Sequence, residues 1–357
     1  MLKNNDFPTI LMPLRKLLFY PFALLYKLVT DFRNHLYDIG YRPSVHFDRL
    51  VIGVGNLTVG GTGKTPFVEL LVRVLKSKYA IAALSRGYGR KTKGFRIASA
   101  DDSAQTLGDE PYQYFTKFGD DIAVAVGEDR ALAIPELLLH HEGIEIILLD
   151  DAFQHRRVQP HLNILLNDYH RPFYKDFLMP AGWLRESRTH AKRADVVVVT
   201  KCPAGLADSE METIASSIRR YAGSEKSVFF SAIRYLEPKR VFGEEPFDEN
   251  IILFSGIAQH EPLEAYVRQR FKLLDHIVFP DHHHYSVRDI EGIIARFHNV
   301  SATNKSLLTT EKDMVRLLGM KPQLLQDYSV FYLPIELYFL KNEDFFVKTL
   351  LEKVNQS

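Results

Sequence analysis

An α/β fold, doubly wound around a mostly parallel sheet, is what this 357-residue sequence predicts. Three observations carry it. Short apolar runs recur at 80–84, 122–126, 145–149, 162–166 and 195–199, separated by stretches with helical spacing. That alternation is the pattern of parallel strands joined by helices. The runs are nearly continuous, as strands covered on both faces require. An earlier run, Val51–Val54, leads into a glycine-rich loop, Thr58–Thr65, and then into a helical pattern.

The elements follow in order. From Leu14 to Leu36, apolar residues fall at 14, 17, 18, 22, 25, 28, 29, 32 and 36, which is helical spacing on one face. Arg15, Lys16, Lys27 and Arg33 lie off that stripe. The uninterrupted apolar stretch, Leu17 to Tyr26, is about half of the ~20 residues a membrane span needs. Pro21 would kink the helix or start a new one. A helix apolar on one side and basic on the other suits a membrane interface; the alternative is a helix docked on the protein's own core. Residues 1–40 are therefore read as an amphipathic, membrane-associated segment. It lacks the continuous apolar core and small-residue cleavage site of a secretory signal.

The loop Thr58-Val59-Gly60-Gly61-Thr62-Gly63-Lys64-Thr65 fits the strand–loop–helix phosphate-binding pattern except at its first position, where Thr58 replaces glycine. Its glycines let backbone N–H groups turn around phosphate oxygens. Lys64 supplies a point charge for the β/γ-phosphates, Thr65 a hydroxyl for Mg²⁺, and the helix start adds its positive end. A second element supports the first. The run 144–149 ends in Asp150 and Asp151, and carboxylates at a strand's end sit where open α/β sheets place their ligands. One of the two can hold Mg²⁺, directly or through water. The chain is expected to bind a nucleoside triphosphate with Mg²⁺.

Composition narrows the rest. Hydrophobic content of 46% with 25% charged residues is that of a folded soluble protein. A net charge of +1 gives no nucleic-acid signal, and a single cysteine, Cys202, excludes an intrachain disulfide. Apolar runs at 251–254, 307–309 and 329–333 continue the strand rhythm. Between them and the core, 237–250 carries two prolines, a glycine and several acids, the composition of a linker. The expected division is thus 41–245 for the phosphate-loop core and 246–357 for a smaller α/β domain.

Further polar clusters punctuate the chain: Ser85-Arg-Gly-Tyr-Gly-Arg90, Gly108-Asp-Glu-Pro111, Asp150-Asp-Ala-Phe-Gln-His-Arg-Arg157, Pro180-Ala-Gly-Trp-Leu-Arg-Glu186, Phe279-Pro-Asp-His-His-His-Tyr285 and Thr309-Thr-Glu-Lys-Asp313. In this order, and together with Gly55–Pro66, they resemble the tetraacyldisaccharide 4'-kinase family over residues 8–340. Ala152 stands where that family often has glycine, Ser187 where proline is common, and Ile257–Pro262 departs from its usual pattern.

The resemblance implies transfer of the ATP γ-phosphate, with Mg²⁺, to the 4'-hydroxyl of a tetraacyldisaccharide 1-phosphate, the lipid A precursor. It implies work at the cytoplasmic face of a bacterial inner membrane, and no obligate protein partner is evident. It makes Asp109 the base and His282 its partner, with Lys64 on the phosphates. Thr65, Glu110, Asp150, Asp151 and Gln154 become candidates for the metal's surroundings. Asn56, Arg86, Tyr88, Arg90, His155, Arg156 and Arg185 become candidates for holding substrate, guanidinium groups being suited to its 1-phosphate. Since the expected division puts Asp109 and His282 on different domains, their pairing would require domain closure.

Bland readings stand beside these. Asp109 and Glu110 are also what a helix N-terminus favours. Adjacent histidines point apart on regular elements, so His282-His283-His284 is not expected to make a three-ligand metal site. The rival class is a phosphate-loop GTPase switch or metallochaperone. Those read guanine with an Asp in an Asn/Thr-Lys-x-Asp tetrad; here Thr200-Lys201-Cys202 is followed by Pro203, which has no such acceptor.

Overall fold

The computed structural model describes residues 11–320 and 323–355, with side chains from Leu18 to Val354 within them. Leu14 and Leu17 of the N-terminal stripe, and Arg15 and Lys16 beside it, lie outside the described side chains. The strands are β1 (Leu50–Asn56), β2 (Ile81–Ser85), β3 (Arg96–Ile97), β4 (Ala123–Val126), β5 (Ile146–Leu149), β6 (Leu162–Asp168) and β7 (Val196–Thr200). They continue as β8 (Ser227–Tyr235), β9 (Lys239–Phe242), β10 (Asn250–Ser255), β11 (Lys272–Val278), β12 (Ser306–Thr310), β13 (Val330–Leu333) and β14 (Ile335–Phe339). The helices are α1 (Leu11–Asp38), α2 (Lys64–Leu75), α3 (Ala104–Leu107), α4 (Asp109–Phe118) and α5 (Arg130–His140). After them come α6 (Asp208–Ala222), α7 (Glu261–Arg270), α8 (Val287–Asn299), α9 (Glu311–Met320) and α10 (Glu343–Asn355).

The chain forms two compact units, and neither is contiguous. The first takes residues up to Ser85, Asp129–Ile233 and Leu337 onward; the second takes Arg86–Glu128 and Arg234–Glu336. The division expected at 245/246 is linear, whereas compactness groups 86–128 with the later residues.

In the first unit the strands run β14-β8-β7-β6-β1-β5-β2. The pairs from β8 to β2 are parallel, so these strands share one carboxyl edge. β1 is buried along its whole length, with β5 and β6 on its two sides. From β1 the chain passes through α2 toward β2, while β5 leads across to β6, so the connections diverge at β1. That divergence is where an open sheet leaves a crevice for ligands. α6 packs on one face through Met211, Ala215 and Ile218, beside Val197 and Val199. α10 brings Phe346 against Phe67 of α2 and Phe229 of β8.

The helix α1 inverts the usual amphipathic arrangement. Its polar side docks on the first unit. Tyr26 donates to the Arg185 carbonyl (2.8 Å), Arg33 to the Gln154 carbonyl (3.0 Å) and buried Asn34 to Glu186 (2.8 Å). The apolar stripe is left outside: Leu18, Phe22, Leu25, Val29 and Phe32 are 60–67% exposed. Between membrane interface and protein core, the core alternative is therefore not what the stripe does. No helix among the described residues is long and apolar enough to cross a membrane.

The second unit holds a five-stranded sheet, β11-β10-β12-β13-β9, parallel except for antiparallel β9. Its apolar faces pack on α7 through Leu263 and Val267, and on α8 through Ile290 and Ile293. The segment expected as a linker contributes β9, whose Lys239 and Arg240 are exposed. β3 and β4 form an antiparallel pair in the same unit.

Candidate active site

In the first unit, four parallel strands deliver polar residues to one carboxyl edge. β1 ends at Asn56, whose amide donates to the Thr62 hydroxyl (2.9 Å), and whose carbonyl accepts from Gln154 (2.8 Å). The close approach of the loop after β5 explains Gly55: a Cβ there would lie 2.6 Å from the Phe153 backbone nitrogen. The phosphate loop is pinned by its carbonyl groups. Val59 O accepts from Arg171 (2.7 Å), Thr62 O from the Thr200 hydroxyl (2.8 Å), and Gly61 O from Lys201. Lys201 also pairs with Asp168 (2.7 Å). Thr58 bridges to Leu184, and the Val59 N–H donates to the Trp183 carbonyl (2.8 Å). Gly63, at φ 79°, turns the chain into α2, whose start has no side-chain cap and no acid in its first turn. An uncapped helix start behind anchored carbonyls is a preformed anion seat.

Lys64 opens α2 and lies 3.4 Å from Asp151. Arg185 donates to both Asp151 oxygens (3.1 and 3.0 Å). Burial alone would push the Asp151 carboxyl up; the Lys64 and Arg185 charges outweigh it and hold the group below its ordinary value. Asp151 sits at φ 50°, a conformation non-glycine residues seldom adopt, consistent with a held functional position. Buried Asp150 is fixed through its backbone, donating to Leu84 O (3.0 Å) and accepting from Arg130 (3.0 Å). Thr65 is buried beside Lys64. A hydroxyl with one or two carboxylates is a hard oxygen set that fits Mg²⁺.

Gln154, a metal candidate from sequence, is instead a bracket: its oxygen accepts from Arg185 (3.2 Å) and its nitrogen donates to Asn56 and Glu186. Glu186 is the hub behind it, meeting Asn34, Gln154, Arg193 (2.7 Å) and His190 (2.9 Å). Burial pushes its carboxyl up, but the His190 hydrogen bond and the Arg193 charge win and hold it at about 2. Two substrate candidates are engaged elsewhere in this unit. Arg156 pairs with Asp38 (2.8 Å), and His155 accepts from the Arg130 N–H (3.2 Å).

The second unit brings Asp109 and His282 together without any closure. Asp109 Oδ2 lies 3.1 Å from His282 Nδ1. The expectation that they occupy different domains is corrected here: both belong to the same compact unit, because 86–128 packs with 234–336. Arg316 completes the arrangement. Buried, it donates to Asp109 (2.9 Å), Asp313 (2.9 Å) and the Gly256 carbonyl (2.8 Å). Burial pushes the Asp109 carboxyl up; the His282 hydrogen bond and Arg316 reverse that and hold it at about 2. The Asp109 hydrogen bond raises His282, against the opposing effect of burial. His282 sits at φ 55°, and the Tyr88 ring lies edge-on 6.2 Å away.

Helix α4 starts in a tight place. A Cβ on Gly108, at φ 96°, would lie 2.9 Å from the Tyr88 carbonyl. Glu110 pairs with Lys312 (3.3 Å) and Lys117 with Glu311 (2.8 Å), so α4 and α9 are laced by three ion pairs including Asp109–Arg316. Arg90 spends its guanidinium on Glu128 (2.6 Å) and Gly94, while Arg86 is exposed. His283 turns away from His282 to Asp289 (3.1 Å), so these adjacent histidines diverge as expected.

Sequence reading missed Arg171, Lys201, Asp168 and Arg316. Lys201 and Thr200 were visible only as a failed guanine tetrad; their position after a buried strand was the available signal. Arg316 had a cue in the Thr309–Asp313 cluster, one helical turn before it on the same face.

The sequence profile of the tetraacyldisaccharide-1-P 4'-kinase family matches residues 15–355. Among curated proteins, a tetraacyldisaccharide 4'-kinase from Flavobacterium psychrophilum is 43% identical over 96% of this chain and 98% of its own length. One of that name from Bacteroides thetaiotaomicron is 40% identical over 91% of this chain and 89% of its own. Among solved structures, an "apo" form of LpxK from Aquifex aeolicus in complex with ATP is 30% identical, with a TM-score of 0.74, covering 95% of this chain and 99% of that one.

Proposed function

We propose that this chain, which belongs to the tetraacyldisaccharide-1-P 4'-kinase family, transfers the γ-phosphate of ATP to the 4'-hydroxyl of a tetraacyldisaccharide 1-phosphate. The observation that carries the reading is the anchored phosphate loop with Lys64 and Asp151 at the carboxyl edge of β1 and β5. The GTPase-switch alternative has no support: Thr200 and Lys201 serve as braces of the loop.

Phosphoryl transfer asks the protein for position and charge. Loop N–H groups and Lys64 hold the triphosphate and offset the negative charge of the transferring group. Thr65 with Asp150 or Asp151 would hold Mg²⁺, which supplies further charge neutralisation when bound. Asp109, ionised by its neighbours, accepts the hydroxyl proton. His282 orients Asp109 and takes the proton on, since imidazole titrates near neutrality. The exposed Arg86 is the guanidinium group we assign to the substrate's phosphate; Arg185 holds Asp151, Asn56 steadies the phosphate loop, and Arg90, His155 and Arg156 brace their own neighbouring loops.

The exposed apolar face of α1 is the part we assign to the membrane surface, with the protein peripheral at the cytoplasmic leaflet where ATP is available. Lys27, off the stripe and 46% exposed, adds a cation of the kind interfacial helices carry. Incubation with γ-labelled ATP, Mg²⁺ and disaccharide 1-phosphate lipid in vesicles tests the reading. Label must appear in the lipid product and depend on the acceptor. Hydrolysis of GTP without acceptor, and no labelled lipid, would overturn it.

A further inference from the structure

Apart from the residues assigned to phosphoryl transfer, His260, Glu264 and His276 converge in the second unit, with ligand atoms within 4.8 Å of one another. We propose that they form a binding site for a divalent transition-metal ion of the zinc type.

The local fold explains the convergence. His260 precedes α7 and Glu264 lies one turn on, so both project from the same face of the helix start. His276 lies in β11, paired opposite Leu253 of β10. Glu264 divides its two oxygens: Oε1 accepts from Arg268 (2.8 Å), while Oε2 meets His276 Nδ1 (2.9 Å). The other ring nitrogen of His276 meets the Ser255 hydroxyl (3.0 Å). Such a partner fixes the tautomer and aim of a metal-binding imidazole. His260 Nδ1 is buried with no hydrogen-bond partner, although its ring lies across that of His276 at 5.5 Å. An orphaned ring nitrogen beside a second imidazole and a carboxylate is what a metal would satisfy.

The donor set favours one class of ion. Two imidazoles and a carboxylate suit zinc and its neighbours, whereas Mg²⁺ prefers oxygen alone. Ligand bonds of about 2.0–2.1 Å place tetrahedral ligands roughly 3.4 Å apart. Glu264 and His276 already meet at 2.9 Å, and the His260 ligand atom lies within 4.8 Å of both, so turning the partly exposed His260 ring and parting the other two slightly would seat the ion. Three protein ligands leave a fourth position for water. The ion would tie α7 to β11 next to Ser255. The following residue, Gly256, receives Arg316 on its carbonyl and gives its N–H to Asp313 (3.0 Å). The site therefore braces the strand end that holds the Asp109 partner.

The test is Co²⁺ titration of the metal-stripped full chain in excess Mg²⁺, followed by absorption and by metal analysis after gel filtration. One Co²⁺ per chain is expected, with the visible absorption of low-coordinate cobalt, displaced by Zn²⁺. His260→Ala and Glu264→Gln should each weaken binding at least tenfold, with metal-free circular dichroism and melting unchanged. The His276 side chain is the least exposed of the three, so the variants at His260 and Glu264 carry the test. His284→Ala should bind as the parent does. A parent chain that takes up no Co²⁺, variants that bind it as tightly as the parent, or binding lost in His284→Ala would overturn the proposal.

Discussion

Replacing Asp109 and His282 by alanine, singly and together, tests whether the two act as one base. The pair is preformed at 3.1 Å. A positioned general base is worth about 10²–10⁴ in rate, or roughly 3–5 kcal/mol at 1.36 kcal/mol per tenfold. Two independent groups of that size would together cost about 10⁴–10⁸. A pair in which the imidazole works only through the carboxylate loses everything at the first substitution, so the double variant should fall within about tenfold of the poorer single one. Single-turnover transfer from labelled ATP measures the rate, and equilibrium binding should show ATP affinity unchanged.

The pH profile adds an independent readout. Asp109, held at about 2, is a carboxylate throughout the working range. His282 is raised above its ordinary value of about 6.5, chiefly by the Asp109 hydrogen bond. A protonated imidazole cannot accept, so turnover should rise with pH through a midpoint above 6.5. In Asp109→Asn the His282 midpoint, followed by NMR, should fall toward 6.5. Stability moves the other way: the His282 contribution is complete below about 6.5 and is lost as pH rises through the raised value. The Asp109 contribution is present above the ordinary carboxylate range and lost as pH falls toward about 2. Fully multiplicative losses, or an acid limb that persists in His282→Ala, would refute the pairing.

Other substitutions probe the remaining parts. Lys64→Ala should lower transfer by at least 10², with the melting temperature within a few degrees of the parent; near-normal turnover would remove the phosphate-loop assignment. Arg316→Met strands the buried Asp109 and Asp313 carboxylates and should cost about 3–5 kcal/mol in urea unfolding, with Lys restoring only part of it because it lacks the planar fork. A loss below about 1 kcal/mol would show that the fork does not matter. Changing Leu18, Phe22, Leu25 and Val29 to serine removes apolar groups worth roughly 1.5–3 kcal/mol each when fully buried, so vesicle partitioning should drop at least a hundredfold while ATP binding holds. Unchanged sedimentation with vesicles would place the lipid contact elsewhere. Glu186→Ala should destabilise by about 3–5 kcal/mol and loosen α1, read as faster amide exchange in that helix; equal exchange would deny its role as hub.

The buried parallel strands were legible because burial on both faces forces continuous apolar runs, as in β1, β5, β6 and β7. β11 escaped because Asp275 and His276 interrupt it, and β9 because it is short, antiparallel and charged. The phosphate loop declared itself through local geometry, since its glycines and Lys64 must be adjacent. The braces Arg171, Lys201 and Arg316 did not, because each acts on a backbone or carboxylate far away in sequence. The grouping of 86–128 with 234–336 leaves no mark in composition. For α1, spacing revealed the stripe but could not say which face docks; that depended on Asn34 finding Glu186, 152 residues on.

The interleaving of the two units has a consequence for how the chain is made. The first unit's sheet has β14 beside β8, and its helix α2 is covered by Phe346 from α10, so that unit awaits the final segment of the chain. During synthesis the early strands emerge long before their last neighbours, and contacts of such sequence separation form slowly. A nascent chain halted before Leu337 would display the β8 edge and bare the Phe67 and Phe229 rings, a hazard for aggregation. Cutting the gene at 245/246 would produce two fragments, each carrying an incomplete share of both units, so co-expressed halves should recover only by reassembling together.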